Sequence, residues 1–188
     1  MRIDHVIYAA ADLEAATARL EAELGLPAAG GGRHDGMGTH NRVIPLGGGY
    51  LEVLAVADRD EAAGSALGAA VLRRIEAAGE GLMGWAVAVA DVAGRGLPLV
   101  EISRQGMTAR LAGVAEAMAE PTLPFFIERD PGIGDPGARA AGPGIGWLEV
   151  AGDAARLREW LGGAELPVRV VEGAPAVRAA GIGERVLR

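Results

Sequence analysis

The sequence predicts an α+β fold in which strand-helix-strand units recur along one chain. Residues 1–57 contain, in order, a strand, a helix and three further strands. The length of 188 residues, of which 50% are hydrophobic, suits one ordinary domain or two small fused modules. A faint repeat supports duplication of such a unit. Three times an aspartate ends an apolar strand and lies seven residues after a histidine or glycine near the start of that strand. The three pairs are His5 and Asp12, Gly84 and Asp91, and Gly146 and Asp153.

The first strand and helix are the clearest part of this pattern. Residues 2–11 form a β-branched and apolar run that ends at Asp12, a residue type that caps helices. The helix begins at Leu13 and ends before Gly25 and Pro27. Its apolar positions recur at helical spacing, which predicts one buried face.

A glycine-rich stretch and two strands complete the first unit. Residues 30–38 predict a loop or the irregular start of a strand. Residues 39–46 and 50–56 predict two strands joined by a Gly-Gly-Gly hairpin connection. Residues 1–57 therefore predict one β-α-β-β-β module.

The rest of the chain predicts a second, diverged module. Residues 58–80 predict a connecting helix, with the helical pattern strongest over 61–78. Residues 81–188 predict strands at 85–89, 107–114 and 122–128, then a Pro- and Gly-rich loop over 129–146. A last strand-helix-strand unit begins at Trp147 and forms a C-terminal extension.

The composition excludes several classes of function. The formal charge of −7 disfavours a nucleic-acid partner. All 18 basic residues are arginine and cysteine is absent, which rules out Schiff-base lysines, a P-loop lysine, thiol catalysis and cysteine-bound metals. No segment has the length of a membrane span, and the first residues lack the pattern of a signal peptide. We therefore expect a cytoplasmic protein without a membrane partner.

The pair of His5 and Glu52 is the strongest candidate site. If the first and last strands of the module lie side by side, same-face residues approach within about 5 Å. The pair would then either share a divalent metal or form a hydrogen bond that satisfies a buried histidine. His40 begins a strand of the same sheet and is the better candidate for a third ligand, whereas His34 lies in the glycine-rich stretch.

Strand alternation predicts where this pair points. His5 shares a strand face with Ile7, and Glu52 shares one with Tyr50 and Leu54. The opposite faces are apolar and suit contact with a helix. We therefore expect His5 and Glu52 on one face of one sheet, pointing into the largest polar-lined cavity.

Other residues are weaker candidates. Thr39 and Asn41 lie beside His40 and are expected to bind substrate through hydrogen bonds. Trp85 begins a strand and belongs either to the core or to the wall of a ligand cavity. Residues 132–137 match the G-x-G-x-x-G motif, but the prolines around them leave no room for the helix that a dinucleotide site requires.

Several short blocks resemble a known family. They are Asp4-His5-Val6-Ile7-Tyr8 with Asp12-Leu13, then Gly36-Met37-Gly38-Thr39-His40-Asn41, then Gly49-Tyr50-Leu51-Glu52. Together they are similar to a glyoxalase-like domain of the vicinal oxygen chelate (glyoxalase/bleomycin resistance/extradiol dioxygenase) superfamily. The resemblance covers residues 1–57 well, 81–130 loosely, and the last unit by its strand-helix-strand pattern.

This resemblance implies an α+β fold of paired β-α-β-β-β modules with cupped mixed sheets around one cavity. It also implies a divalent metal ion, such as Zn, Ni, Mn or Fe, with His5 and Glu52 on two ligand positions. From its place at the start of a strand, we expect His40 as a third ligand. The second module departs from the family, because Gly84 or Trp85 stands where the matching histidine would be. Glu128 lies near the place of the second glutamate, and we expect it to act as a proton-transfer base.

Two functions remain open from the sequence. The first is a metal-dependent lyase, isomerase or dioxygenase that acts on a small molecule. The second is a metal-free protein of the same fold that binds or sequesters a small apolar ligand. A purely structural role is a third alternative, and a homodimer is compatible with each of them.

Overall fold

The computed structural model describes residues 1–104, 107–129, 135–139 and 141–188 of the chain. Its main layer is an eight-stranded sheet. The strands are β1 (Arg2–Ala10), β2 (Gly31–His34), β3 (Thr39–Pro45), β4 (Tyr50–Val56), β5 (Gly81–Ala88), β6 (Leu99–Arg104), β7 (Met107–Ala112) and β8 (Phe125–Arg129). Their order across the sheet is β2-β3-β4-β1-β5-β8-β7-β6.

The two halves of this sheet repeat one arrangement. In the first half β1 pairs in parallel with β4, and in the second half β5 pairs in parallel with β8. The halves join where β1 and β5 pair antiparallel at the centre. The edge strands β2 and β6 come into contact, so the sheet curves into a nearly closed cup. The predicted α+β fold with paired, cupped mixed sheets is confirmed.

The convex face of the first half packs against helix α1 (Leu13–Leu24). Asp12 accepts hydrogen bonds from the backbone N–H groups of Glu14 and Ala15, which fixes the start of the helix. Leu20 on the helix is fully buried and belongs to the same core cluster as Val6 and Val53 of the sheet. The alternation of β1 and β4 therefore leaves the opposite face free for the cup.

A smaller sheet covers the convex face of the second half. It has the order β10-β9-β11-β12. Its strands are β9 (Trp147–Ala151), β10 (Val168–Val171), β11 (Ala176–Ile182) and β12 (Arg185–Leu187), and helix α5 (Ala154–Trp160) follows β9. Trp160 stacks on Phe126 of β8 with 5.9 Å between the ring centroids, so this unit covers β8 as α1 covers the first half.

Three further helices connect strands of the sheet, and the last two of them cover the mouth of the cup. The three are α2 (Arg59–Ala63), α3 (Ala66–Ala78) and α4 (Val114–Ala119). The single helix predicted over 61–78 is wrong in one respect, because the chain breaks at Gly64 and restarts where the Ser65 hydroxyl accepts a hydrogen bond from the Gly68 N–H. Helix α4 and strand β6 are not predicted by the sequence pattern.

Residues 132–134 of the G-x-G-x-x-G match lie outside the described residues. Among the described residues, no helix has the length and hydropathy needed to cross a membrane.

Candidate active site

The concave face of the cup encloses a cavity of about 60 Å³. Its walls are mostly apolar side chains from β1, β7, β8 and the helices, and its polar groups gather at one end. These polar groups are His5, His34, Tyr50 and Glu52. The expectation that His5 and Glu52 point into the largest, polar-lined cavity is therefore corrected in two respects. The walls of their cavity are mostly apolar. Larger open depressions, of about 530 and 540 Å³, lie on the outer surface near α5 and β10.

His5 and Glu52 lie on the same face of neighbouring strands. Glu52 pairs in register with Ile7, which is two residues beyond His5 on β1. His5 Nε2 and Glu52 Oε2 are 3.5 Å apart. Both residues are buried, with 2% and 7% of their surface exposed. The pair thus forms a polar contact at the polar end of a mostly apolar cavity.

Asp4 holds the imidazole of His5 from the other side. A register shift in the pairing of β1 with β5, between Ile3 and His5, brings the Asp4 carboxylate beside the ring. Its Oδ2 lies 2.7 Å from His5 Nδ1. An ionised carboxylate can only accept, so the proton of this hydrogen bond lies on Nδ1. The Nε2 atom of His5 is consequently the one that faces Glu52.

Arg129 neutralises Asp4. The guanidinium donates to Asp4 Oδ1 at 2.5 Å and to Asp4 Oδ2 at 2.7 Å, which is the bidentate geometry that favours a strong ion pair. Burial alone would raise the pKa of Asp4, but the hydrogen bonds from His5 and Arg129 outweigh it and hold this pKa well below its ordinary value. Asp4 is therefore a charged acceptor behind His5 at neutral pH.

Two aromatic rings fix the plane of the His5 imidazole. Tyr50 stacks on it with 4.5 Å between centroids, and Phe125 meets it edge-on at 5.4 Å. The Tyr50 hydroxyl accepts a hydrogen bond of 3.1 Å from Arg129. Burial, together with the charges of Asp4 and Glu52, raises the pKa of Tyr50 well above its ordinary value, so this hydroxyl stays protonated.

Glu52 is held by strands β2 and β3. The Asn41 side-chain amide donates to Glu52 Oε1, and Asn41 Oδ1 accepts from the Gly32 N–H at 3.1 Å. His34 Nε2 lies 3.7 Å from the same Oε1, and His34 Nδ1 lies 2.9 Å from the Thr39 hydroxyl. Thr39 and Asn41 therefore face the cup and position its polar groups. Their contact with a substrate remains a prediction.

His34, which the sequence ranks below His40 as a candidate third ligand, belongs to the site. It lies in the short strand β2, directly opposite Thr39, and its ring lines the cavity. Residues 31–34 contain two glycines and no apolar side chain, so no hydrophobic alternation indicated a strand. The pairing of β2 with β3 in the structure is what places His34 on the face of Thr39 and Asn41.

Three predicted site residues do not lie in the cavity. His40 and Trp85 are paired with Ala55 and Val6, on the convex side of their strands. Trp85 is fully buried and donates from its indole nitrogen to the Thr122 carbonyl oxygen at 3.3 Å, so it belongs to the core. Glu128 lies on the face of β8 opposite to that of Phe125, and it binds Arg110 and the Val92 N–H instead. In each case the alternation of the strand sends the side chain away from the cup.

The comparisons with known proteins agree with this architecture. The glyoxalase-like domain family matches residues 3–166, from β1 to a point beyond α5. The chain belongs to the glyoxalase-like domain family. A search of curated proteins found no match.

Solved structures show that this glyoxalase-like protein has the vicinal oxygen chelate fold. A hypothetical protein from Staphylococcus aureus matches with a TM-score of 0.67 and 13% identity, over 94% of this chain and 88% of that one. A single-residue variant of the methylmalonyl-CoA epimerase from Streptomyces coelicolor, solved with 2-nitronate-propionyl-CoA, matches with a TM-score of 0.52 and 20% identity, over 70% and 96%. The methylmalonyl-CoA epimerase from Mycobacterium tuberculosis matches at 0.51 and 17%, over 69% and 89%.

The described residues do not fit the metal centre that the family resemblance implies. On the concave side, β5 and β8 carry Ala86, Phe125 and Ile127, which have no metal-binding side-chain atom. His40 points away from this side of the sheet. Among the described residues, no group of three or more His, Asp or Glu side chains is placed to hold one metal ion. The groups of this site that can take part in chemistry are therefore its own acids and bases.

Proposed function

We propose that this glyoxalase-like protein is an enzyme of isomerase or lyase type that moves a proton on a small carbonyl compound. The observation that carries the proposal is the buried pair of His5 Nε2 and Glu52 Oε2, 3.5 Å apart at the end of an apolar cavity. Two groups that can exchange a proton, placed in a mostly apolar site, are the usual apparatus for proton abstraction beside a carbonyl.

Glu52 is the base in this proposal. Asn41 holds Oε1, so Oε2 is the oxygen left to take a proton from carbon. His5 Nε2 faces the same space and can hold or return that proton, while Asp4 keeps the proton on Nδ1. The stacked ring of Tyr50 prevents the imidazole from turning. Glu128, which the sequence suggested as the base, has no part in this scheme.

Deuterium exchange tests the proposal without knowledge of the natural substrate. A panel of 2-oxo acids, 2-hydroxyaldehydes, simple ketones and short acyl thioesters is incubated with the protein in D₂O, and loss of the C–H signal is followed by NMR. We expect at least one compound to exchange, and Glu52→Gln to slow that exchange by about 10²- to 10⁴-fold. Each reaction is run with EDTA and with added Zn, Ni, Mn or Fe, which separates metal-dependent from metal-independent exchange.

The control variant changes a carboxylate that lies outside the cavity. Glu128→Gln alters a residue of the same type in the same sheet and should leave exchange unchanged. If no compound exchanges under any metal condition, or if Glu52→Gln exchanges as fast as the parent protein, proton transfer at Glu52 is not the function.

A binding protein is the second candidate, and the apolar wall of the cavity favours it. Ile7, Leu111 and Ile127 offer apolar contacts that need no chemistry to hold a ligand. This function predicts ligands that raise the melting temperature equally in the parent protein and in Glu52→Gln, with no exchange in either.

A further inference from the structure

A second cavity adjoins the first at the mouth of the cup. It has a volume of about 240 Å³ and lies between α3, α4 and the start of β6. Met37, Leu67 and Val114 line both cavities, so these three apolar side chains form the wall between them. We call the cavity with Glu52 the inner chamber and the adjoining one the outer chamber.

The inner chamber is too small for most metabolites by itself. A single water needs roughly 10–15 Å³ on this measure of volume, so about 60 Å³ holds a group of only a few heavy atoms. The outer chamber is four times larger. A substrate with its reacting carbon beside Glu52 therefore places the rest of its structure past the three shared side chains.

Glu116 supplies an unusual polar group in the outer chamber. It lies in the first turn of α4 and lines the chamber. Its Oε2 atom is buried and has no hydrogen-bond partner. A buried carboxylate oxygen without a donor costs free energy, and a ligand that brings a donor removes that cost. The Ser65 hydroxyl, which also lines this chamber, already donates a hydrogen bond to the Met37 carbonyl oxygen at 2.9 Å.

The charges of the lining residues further restrict the chemistry of the ligand. The described residues that line the two chambers include Glu52 and Glu116 but neither arginine nor lysine. Arg129, which lies behind His5, is engaged with Asp4 and Tyr50. Among the described lining residues, an anionic group in either chamber would meet carboxylates without a compensating cation. The electrostatics thus disfavour carboxylates and phosphate esters as the distal part of the substrate.

We propose that the outer chamber binds the distal part of the substrate, a slim apolar chain that ends in a hydrogen-bond donor facing Glu116. The donor is an amine or a hydroxyl group. The proposal rests on the proposed function for the identity of the inner end, where an oxygenated carbon meets His5 and Glu52. Glu116 is then a residue that determines specificity and takes no part in the proton transfer.

Hexylamine, hexanol and hexanoate test the outer chamber directly. Each probe has the same chain and differs only in its end group, and dissociation constants are measured by ligand-observed NMR. We expect hexylamine or hexanol to bind, with the stronger of the two identifying the donor, and hexanoate to bind at least about tenfold more weakly. Glu116→Leu should weaken the preferred probe by about tenfold, whereas Glu23→Leu, a change at an exposed glutamate of α1, should not.

The passage between the chambers gives a second readout. Leu67→Phe and Val114→Phe narrow it from opposite helices, and either should weaken the binding of hexylamine or hexanol. Glu52→Gln should leave probe binding intact, so a failure of the proposed chemistry and a failure of this inference are distinguishable. Equal binding of all three probes, or an unchanged affinity in Glu116→Leu, would overturn the proposal.

Discussion

Arg129 donates two hydrogen bonds to Asp4, at 2.5 and 2.7 Å, and so joins the end of β8 to the start of β1. The two residues belong to different halves of the cup and lie 125 positions apart in the sequence. Asp4 is fully buried, and the Arg129 side chain is 14% exposed. The same carboxylate holds His5. The ion pair that joins the two halves therefore also orients the candidate acid–base pair of His5 and Glu52.

Asp4→Asn should destabilise the protein strongly. The change leaves Arg129 buried without a charged partner, and removal of one member of a buried ion pair costs about 3–5 kcal/mol. Equilibrium urea unfolding measures this loss. Asp135→Asn is the matched control, because Asp135 pairs with the half-exposed Arg2 and should cost about 1 kcal/mol or less. Equal losses in the two variants would contradict the role assigned to Asp4.

The low pKa of Asp4 predicts acid sensitivity. Its pKa is lowered in the folded state relative to about 3.9 in an unfolded chain. The carboxylate therefore stabilises the fold above that unfolded value, and this stabilisation is lost as pH falls below it. The free energy of unfolding, measured from pH 6 to pH 2, should fall more steeply in the parent protein than in Asp4→Asn. A parallel decline in both would show that other carboxylates dominate.

The cup could be predicted from the sequence because its central strands carry strong signals. In β1 and β4 the alternation of apolar residues with His5 and Glu52 indicates both the strand and its polar face. Nothing local indicates Arg129, because its contact with Asp4 depends on a register shift in β1 and on the pairing of two distant strands. Long-range ion pairs of this kind leave no periodic pattern in a sequence.

His34 and His40 show the same limit within one hairpin. The sequence favours His40 because it lies at the start of a clear strand. The pairing of β2 with β3 instead puts His34 beside Thr39 and turns His40 to the opposite face. Helix α4, which carries Glu116, gives no clear signal because it has only six residues, follows a left-handed Gly113 and lacks a side-chain cap.

The two histidines therefore predict opposite outcomes. His34→Gln should weaken ligand binding or slow exchange by about tenfold, because it removes an imidazole that lies 3.7 Å from Glu52. His40→Gln should leave both unchanged, since that ring faces away from the cup. The assays are the deuterium exchange and probe titrations described above, and the melting temperatures of the two variants serve as folding controls. An effect confined to His40→Gln would show that the assignment of faces in β3 is wrong.

Glu128→Gln should affect stability and leave chemistry intact. The Glu128 carboxylate bonds Arg110 and the Val92 N–H on the outer side of β8. Loss of its charge weakens both contacts by about 1–2 kcal/mol in total, since Arg110 is partly exposed. The rate of any exchange reaction should stay within about twofold of the parent rate. A loss of exchange as large as that of Glu52→Gln would restore Glu128 as a base.

Gly68→Ala tests the close approach of α3 to Met37, whose side chain belongs to the wall between the two chambers. Gly68 lies in the first turn of α3, where alanine is normally the better helix former by about 1 kcal/mol. Here a Cβ atom would lie 2.5 Å from Ala62 Cα and 2.6 Å from the Met37 carbonyl oxygen. Both neighbours are backbone atoms. Helix α2, helix α3 or the turn that contains Met37 (the Met37 turn) must therefore shift.

We therefore expect Gly68→Ala to lower the free energy of unfolding by about 1–3 kcal/mol, which reverses the sign that helix propensity predicts. The displaced Met37 should also weaken hexylamine or hexanol in the outer chamber. Gly64→Ala is the matched control, because its Cβ would meet its nearest atom at an ordinary 3.4 Å and its φ of −84° suits any residue. That variant should be neutral or more stable by up to about 1 kcal/mol. If Gly68→Ala proves equally stable and binds the probes as tightly, α3 and the Met37 turn do not pack as closely as the structure has them, and the wall between the chambers must be formed differently.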